Sequence, residues 1–119
     1  MGLLDKAKAG LQEKKIYTSG DISTLINDFH RETPLLHYII LQFKEDQDRT
    51  LVNIAGMTAS HNVLCCDLSN GNGLVILPGG LDMELFSHQL SRSTHSTVLF
   101  QFSANTAALA FETLLPYLQ

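Results

Sequence analysis

The chain has 119 residues, 45 % of them apolar and 17 % charged, with a formal net charge of −4. That length holds one domain around one core and is too short for two. The composition is that of a globular rather than a disordered chain, and the acidic balance argues against a nucleic-acid binder, which carries a basic face.

Leu3/Leu4, Ala7 and Leu11 recur at helical spacing over residues 3–15, which predicts a short amphipathic helix weakened by Gly10. Lys6, Lys8, Lys14 and Lys15, four of the eight cations, fall on it. They read as a solvated helix face or as an electrostatic contact with a partner. No apolar run approaches the ~20 residues that cross a bilayer, so no membrane insertion is expected. Leu3 and Leu4 are followed by neither a long hydrophobic region nor a small-residue cleavage site, so no secretory signal is expected either.

Ser19-Gly20-Asp21 offers a second helix start. Ile22, Leu25, Ile26 and Phe29 follow at i, i+3, i+4 and i+7, and Pro34 stops the helix. Leu35 to Phe43 is a near-continuous apolar run, the pattern of a strand buried on both faces. Lys44 to Arg49 is a charged turn. Leu51, Ile54/Ala55 and Met57/Thr58 favour a helix over 50–60, while Leu51-Val52 and Gly56 leave a strand open.

Val63–Leu68 and Leu74–Leu77 read as the two strands of a hairpin, because Asn70-Gly71 between apolar runs tolerates the positive φ of a tight turn. Cys65 and Cys66 are the only cysteines. Neighbours on a strand point to opposite faces, and no Cys-x-x-Cys spacing is present, so they read as strand thiols of a reducing compartment; a cytoplasmic protein is expected. Leu81 to Arg92 predicts a helix with Leu81, Leu85, Phe86 and Leu90 inward and Ser87, His88, Gln89, Ser91 and Arg92 outward. Val98 to Phe102 alternates as a strand, with Val98, Phe100 and Phe102 on one face. Asn105 caps a last helix whose stripe is Phe111, Leu114/Leu115 and Leu118.

Beyond residues 1–34, expected to be two N-terminal helices packing on the core, the order is strand, helix, strand, strand, helix, strand and a C-terminal helix over 35–119. That βαββαβ order is the ferredoxin-like split motif. The fold class expected is therefore α+β, with a four-stranded antiparallel sheet, two N-terminal helices and one C-terminal helix in a single domain. The two most apolar strands, 35–43 and 74–77, fall at the centre of such a sheet. The motif's helices cover one face only, so the other must be covered by the terminal helices or by a second subunit. A homodimer is expected. A profilin-like scaffold of the roadblock kind is the rival fold, and requires 50–60 to be strand.

Little in the chain has the spacing of catalytic machinery. His30, His37, His61, His88 and His95 include no i, i+3 or i+4 pair for a metal site. There is no Gly-x-Ser-x-Gly elbow. A mid-strand thiol among Val63, Leu64 and Leu68 is expected to be buried and inert. Asn70-Gly71-Asn72-Gly73 lacks the Lys-Ser/Thr of a phosphate loop. Pro78-Gly79-Gly80 suits either a strand-to-helix turn or an anion at a helix start. No catalytic, cofactor-binding or metal-binding residue is assigned.

Two patches carry a likeness to a known group. Phe43-Lys44-Glu45-Asp46-Gln47-Asp48 closes the first strand, and Asn70-Gly71-Asn72-Gly73-Leu74 leads into Val75-Ile76-Leu77-Pro78. In these patches, and in element order over 35–103, the chain resembles a shortened, degenerate relative of the GGDEF and nucleotidyl-cyclase group. That family holds divalent metals with carboxylates at the end of the first strand and on the hairpin. Ile39 and Leu41 stand at the strand positions, and Asn72 and Gly73 replace the acidic pair. The loop after Asp48 is also far shorter than the family's nucleotide-binding segment. The resemblance thus implies a non-catalytic member, since no metal clamp remains for phosphoryl-type transfer.

The function expected is a small non-catalytic regulatory or protein-interaction module in signalling, binding a protein partner or itself. Its candidate surface is the hairpin Asn70, Gly71, Asn72 and Gly73 together with Lys6, Lys8, Lys14 and Lys15. The alternative is a small-ligand sensor taking a metabolite or nucleotide at a dimer seam.

Overall fold

The computed structural model describes residues 17–43, 63–68, 71–94 and 96–118. In chain order these form strand β1 (Tyr17–Thr18), a 3-10 turn (Ser19–Asp21), helix α1 (Ile22–Glu32) and strands β2 (Leu36–Phe43), β3 (Leu64–Asp67) and β4 (Asn72–Pro78). Helix α2 (Met83–Thr94), strand β5 (Ser96–Ala104), helix α3 (Ala107–Leu114) and a closing 3-10 turn (Leu115–Tyr117) complete them. The helix expected at 3–15 and the ambiguous segment 50–60 lie outside the described residues.

The five strands make one mixed sheet in the order β1-β3-β4-β2-β5. β1 runs parallel to β3, and all other neighbours are antiparallel. The expected four-stranded antiparallel sheet with two N-terminal helices is therefore incorrect, although the α+β class fits. Tyr17 and Thr18 precede α1 as a strand and pair with Cys66 and Asp67, which makes β3 interior and the sheet mixed. Two residues are too few to show a period of two, so the pairing leaves no trace in the sequence pattern. The Asp21 carboxylate fixes the step from β1 into α1, accepting from the Thr18 backbone N–H at 3.2 Å and hydroxyl at 3.0 Å.

β2 and β4 are adjacent interior strands, in register from Leu36↔Pro78 to Gln42↔Asn72. Their unbroken apolar runs are explained by burial on both faces. Leu36, Tyr38, Ile40, Leu74 and Ile76 join Ile22, Ile26 and Phe29 of α1 and Ala110 and Leu114 of α3 in one core. Ile39, Leu41, Val75 and Leu77 form a second core with Leu90 of α2. The chain's own helices thus lie on both sides of the sheet, and the covered-face argument no longer calls for a second subunit. Cys65 and Cys66 part as alternation requires, one into each core, and both are free thiols.

Three expected facings change. On α2 the buried stripe is Met83, Phe86, Ser87 and Leu90, while Leu85 is 55 % exposed. Met83, Phe86 and Leu90 recur at i, i+3 and i+7, a line that Leu85 cannot join. Ser87 is buried because its hydroxyl donates to Gln101 Oε1. On β5 the pairing steps from Ile40↔Phe100 to Leu41↔Val98, so Leu99 is an inserted bulge residue. Val98 therefore packs in the α2-side core and Phe102 in the other, not on one face. At α3 the cap is Thr106, whose hydroxyl accepts from Leu109 N–H at 3.2 Å, rather than Asn105. The stripe is Ala110 and Leu114, with Phe111 and Leu118 against it and Leu115 turned out.

Candidate functional site

Gly71, with φ +84°, supplies the positive-φ turn residue ahead of β4. Its carbonyl accepts from Phe43 N–H at 3.0 Å, which ties the β4 start to the end of β2. Asn72 is half-buried and pairs with Gln42. Gly73 is buried, and a Cβ there would stand 2.5 Å from Cζ of Phe43, so the ring lies directly on the glycine. Asn72 and Gly73 are paired with β2, and Gly71 is tied to its end by that one backbone bond. Asn70, Lys6, Lys8, Lys14 and Lys15 lie outside the described residues. Ile39 and Leu41, which occupy the carboxylate positions of the resembled family, are fully buried hydrocarbon.

Two histidines are held in hydrogen-bonded settings. His37 Nε2–H donates to the Gly79 carbonyl at 3.2 Å, and Nδ1 accepts from the Ser103 hydroxyl at 2.6 Å. A hydroxyl beside an oriented imidazole has the outline of a nucleophile and its base. His37 and Ser103 are, however, direct register partners on β2 and β5, and the bond is the ordinary kind that staples neighbouring strands. His30 Nδ1–H donates to the Pro34 carbonyl at 2.8 Å, and its Nε2 lies 2.7 Å from the Tyr38 hydroxyl. Among the described residues no group of three or more His, Cys, Asp or Glu side chains could hold a metal ion. The thiols are likewise poor nucleophiles: burial, then the Asp67 charge, pushes Cys65 up to about 12. Burial, with Cys65 and Asp21 adding to it, raises Cys66 as well.

The feature that stands apart is the outer edge of β5. Among the described residues this strand pairs only with β2, and no described strand lies along its far side. From Thr97 to Ala104 it contains no charged residue and no proline. Leu99 is 41 % and Phe100 38 % exposed, and Leu109 and Leu115 of the following helix and turn are exposed as well. These are four of the six large apolar side chains that stand exposed among the described residues, and all four belong to the run from β5 to the closing turn. Phe100 is held in place by stacking on Phe102 (5.6 Å between centroids) and on Tyr117 (5.8 Å). The sequence signal was present in the uncharged run 96–104, but edge position is a property of strand order and is not local.

Fold and edge together define a class: a mixed-sheet α+β domain, helices on both faces, with a long uncharged edge strand. No protein-family model matches the chain, and no curated protein or solved structure matches it. No helix among the described residues is long and apolar enough to cross a membrane.

Proposed function

We propose that this chain is a small non-catalytic regulatory or protein-interaction module that engages its partner by strand addition at β5. The observation that carries the reading is the strand Thr97–Ala104, at the sheet edge among the described residues, which has no charge and no proline and whose ladder is interrupted by the bulge at Leu99. Strand addition draws affinity from main-chain hydrogen bonds and selectivity from the alternating side chains, here Leu99 and Phe100. The non-catalytic part rests on the engaged state of the polar groups. His37, Ser103, Ser87 and Gln101 bond to one another or to Gly79, and the Cys65 and Cys66 thiols are buried. It agrees with a kinship to the GGDEF group in which hydrocarbon replaces the metal-holding carboxylates.

A photo-crosslinking residue at Leu99, in the otherwise unaltered chain in cells, tests the reading. The expected product is a discrete crosslinked species that the same label at His88, on the exposed side of α2, does not give. Equal labelling at both positions, with rapid amide exchange along β5 at every protein concentration, would sink the proposal.

A further inference from the structure

We infer that Thr18 is a phosphorylation site, and that a phosphate there frees the short strand β1 from the sheet. The site lies at the opposite end of the strand order from β5 and does not depend on what β5 binds.

The pair Lys14-Lys15 supplies the first observation. A kinase that selects basic segments reads them by charge, with lysine or arginine a few residues ahead of the hydroxyl that it modifies. Lys14 and Lys15 stand four and three residues ahead of Thr18, and no acidic residue falls between Lys14 and Gly20. The structure supplies the second. Thr18 is exposed and extended on a strand of only two residues, so little of the sheet has to open for a kinase to hold it. Its neighbour Tyr17 packs instead against the α1-side core. The transfer moves the γ-phosphoryl group of ATP to Thr18 Oγ1. A new O–P bond replaces the bond to the β-phosphate oxygen, ADP leaves, and the hydroxyl proton passes to the kinase's base.

That proton is the one Thr18 donates to the Asp21 carboxylate at 3.0 Å. In its place stands a group carrying about −1.5 to −2 charges at pH 7. It faces the same carboxylate, and Asp67 is the register partner of Thr18 on β3. Three negative groups then meet at one edge of the sheet. Against their repulsion β1 offers two residues of ladder. What β1 leaves behind is Cys66, since Tyr17 is its register partner and both belong to the α1-side core. The burial of this free thiol therefore depends in part on β1.

The full chain is treated with ATP and a serine/threonine kinase selective for basic segments, and the phosphate is located by mass spectrometry. Phosphate is expected at Thr18 of the folded wild type and is lost in Thr18→Val, while Lys15→Ala slows its addition several-fold. The reaction of Cys66 with a thiol reagent, read in a Cys65→Ala background, is expected to quicken about tenfold once Thr18 carries phosphate. Amide exchange is expected to rise at Cys66 and Asp67 and to stay slow at Ile39 and Val75, which pair at the centre of the sheet. A folded chain that takes no phosphate at Thr18 would overturn the site, whether or not a peptide of residues 14–21 is modified. A Cys66 rate that is unchanged or slower in the phosphorylated chain would overturn the release of β1. Exchange that rises at Ile39 and Val75 as well would do the same, because the chain then loosens as a whole rather than at β1.

Discussion

Tyr38 on β2 and Phe102 on β5 are register partners whose rings lie 4.8 Å apart and only 5° from parallel. They are the middle of a ring column. His30 of α1 stacks on Tyr38 at 6.0 Å, and Phe102 continues through Phe100 to Tyr117 of the closing turn. The column joins an early helix, the two last-paired strands and the C-terminal turn, so a change at its centre is felt by all of them.

Tyr38 is fully buried, yet its hydroxyl is satisfied by His30 Nε2. Tyr38→Phe keeps the stack and removes one hydrogen bond from a half-buried imidazole, at an expected cost of about 1 kcal/mol. Tyr38→Ala removes the ring and should cost about 3–5 kcal/mol. Urea denaturation of both variants separates the bond from the packing, and similar losses would contradict the arrangement.

The contact of Phe43 with Gly73 predicts a coupled pair. Gly73→Ala places a methyl against the ring and should cost about 1–3 kcal/mol, the usual range for overpacking. In a Phe43→Ala background the same substitution should be close to neutral. A double-mutant cycle reads the difference, and additive effects would show that the ring does not hold the glycine.

Helix α2 gives a test of facing. Leu85→Ser alters an exposed side chain and should shift stability by no more than about 0.5 kcal/mol. Ser87→Ala leaves Gln101 Oε1 without its buried donor and should cost about 1–3 kcal/mol. The opposite ranking, by thermal or chemical unfolding, would restore the inward Leu85 that periodicity suggests.

The bulge makes a further prediction about β5. Deleting Leu99 leaves Val98 opposite Leu41 and Phe100 opposite Ile40, each on its present face. Deleting Gln101 moves its neighbours on one side by one residue and turns them to the wrong face. The first deletion should therefore fold with a cooperative transition near that of the wild type, and the second should not. Near-identical behaviour in denaturant would argue against a bulge at Leu99.

Alkaline stability follows from the buried thiols. A Cys65 pKa raised to about 12 from 9.0 means that above pH 9 the unfolded chain loses this proton while the folded chain keeps it. The unfolded state then binds fewer protons, so stability falls as pH rises from 9 towards 12 and is unaffected by this group below pH 9. Each such thiol steepens the unfolding equilibrium by about tenfold per pH unit over its window. Cys65→Ala should remove one such increment from the slope. An unchanged slope, measured by denaturant midpoints across that range, would mean that the thiol is not shielded.

The sequence by itself determined what depends on local periodicity. The α1 stripe of Ile22, Ile26 and Phe29, the doubly buried strands around Ile39 and Val75, and the opposed Cys65 and Cys66 all follow from spacings of 3.6 and 2. The tertiary structure alone decided the rest. The fifth strand is two residues held by β3, and the turn of α2 depends on Gln101, fourteen residues on, receiving the Ser87 hydroxyl. The facing of Val98 depends on a bulge that is visible only against β2. The candidate edge was hidden for the same reason. A strand's own residues show that it can pair, whereas the order of the strands decides which of its sides is paired among the described residues.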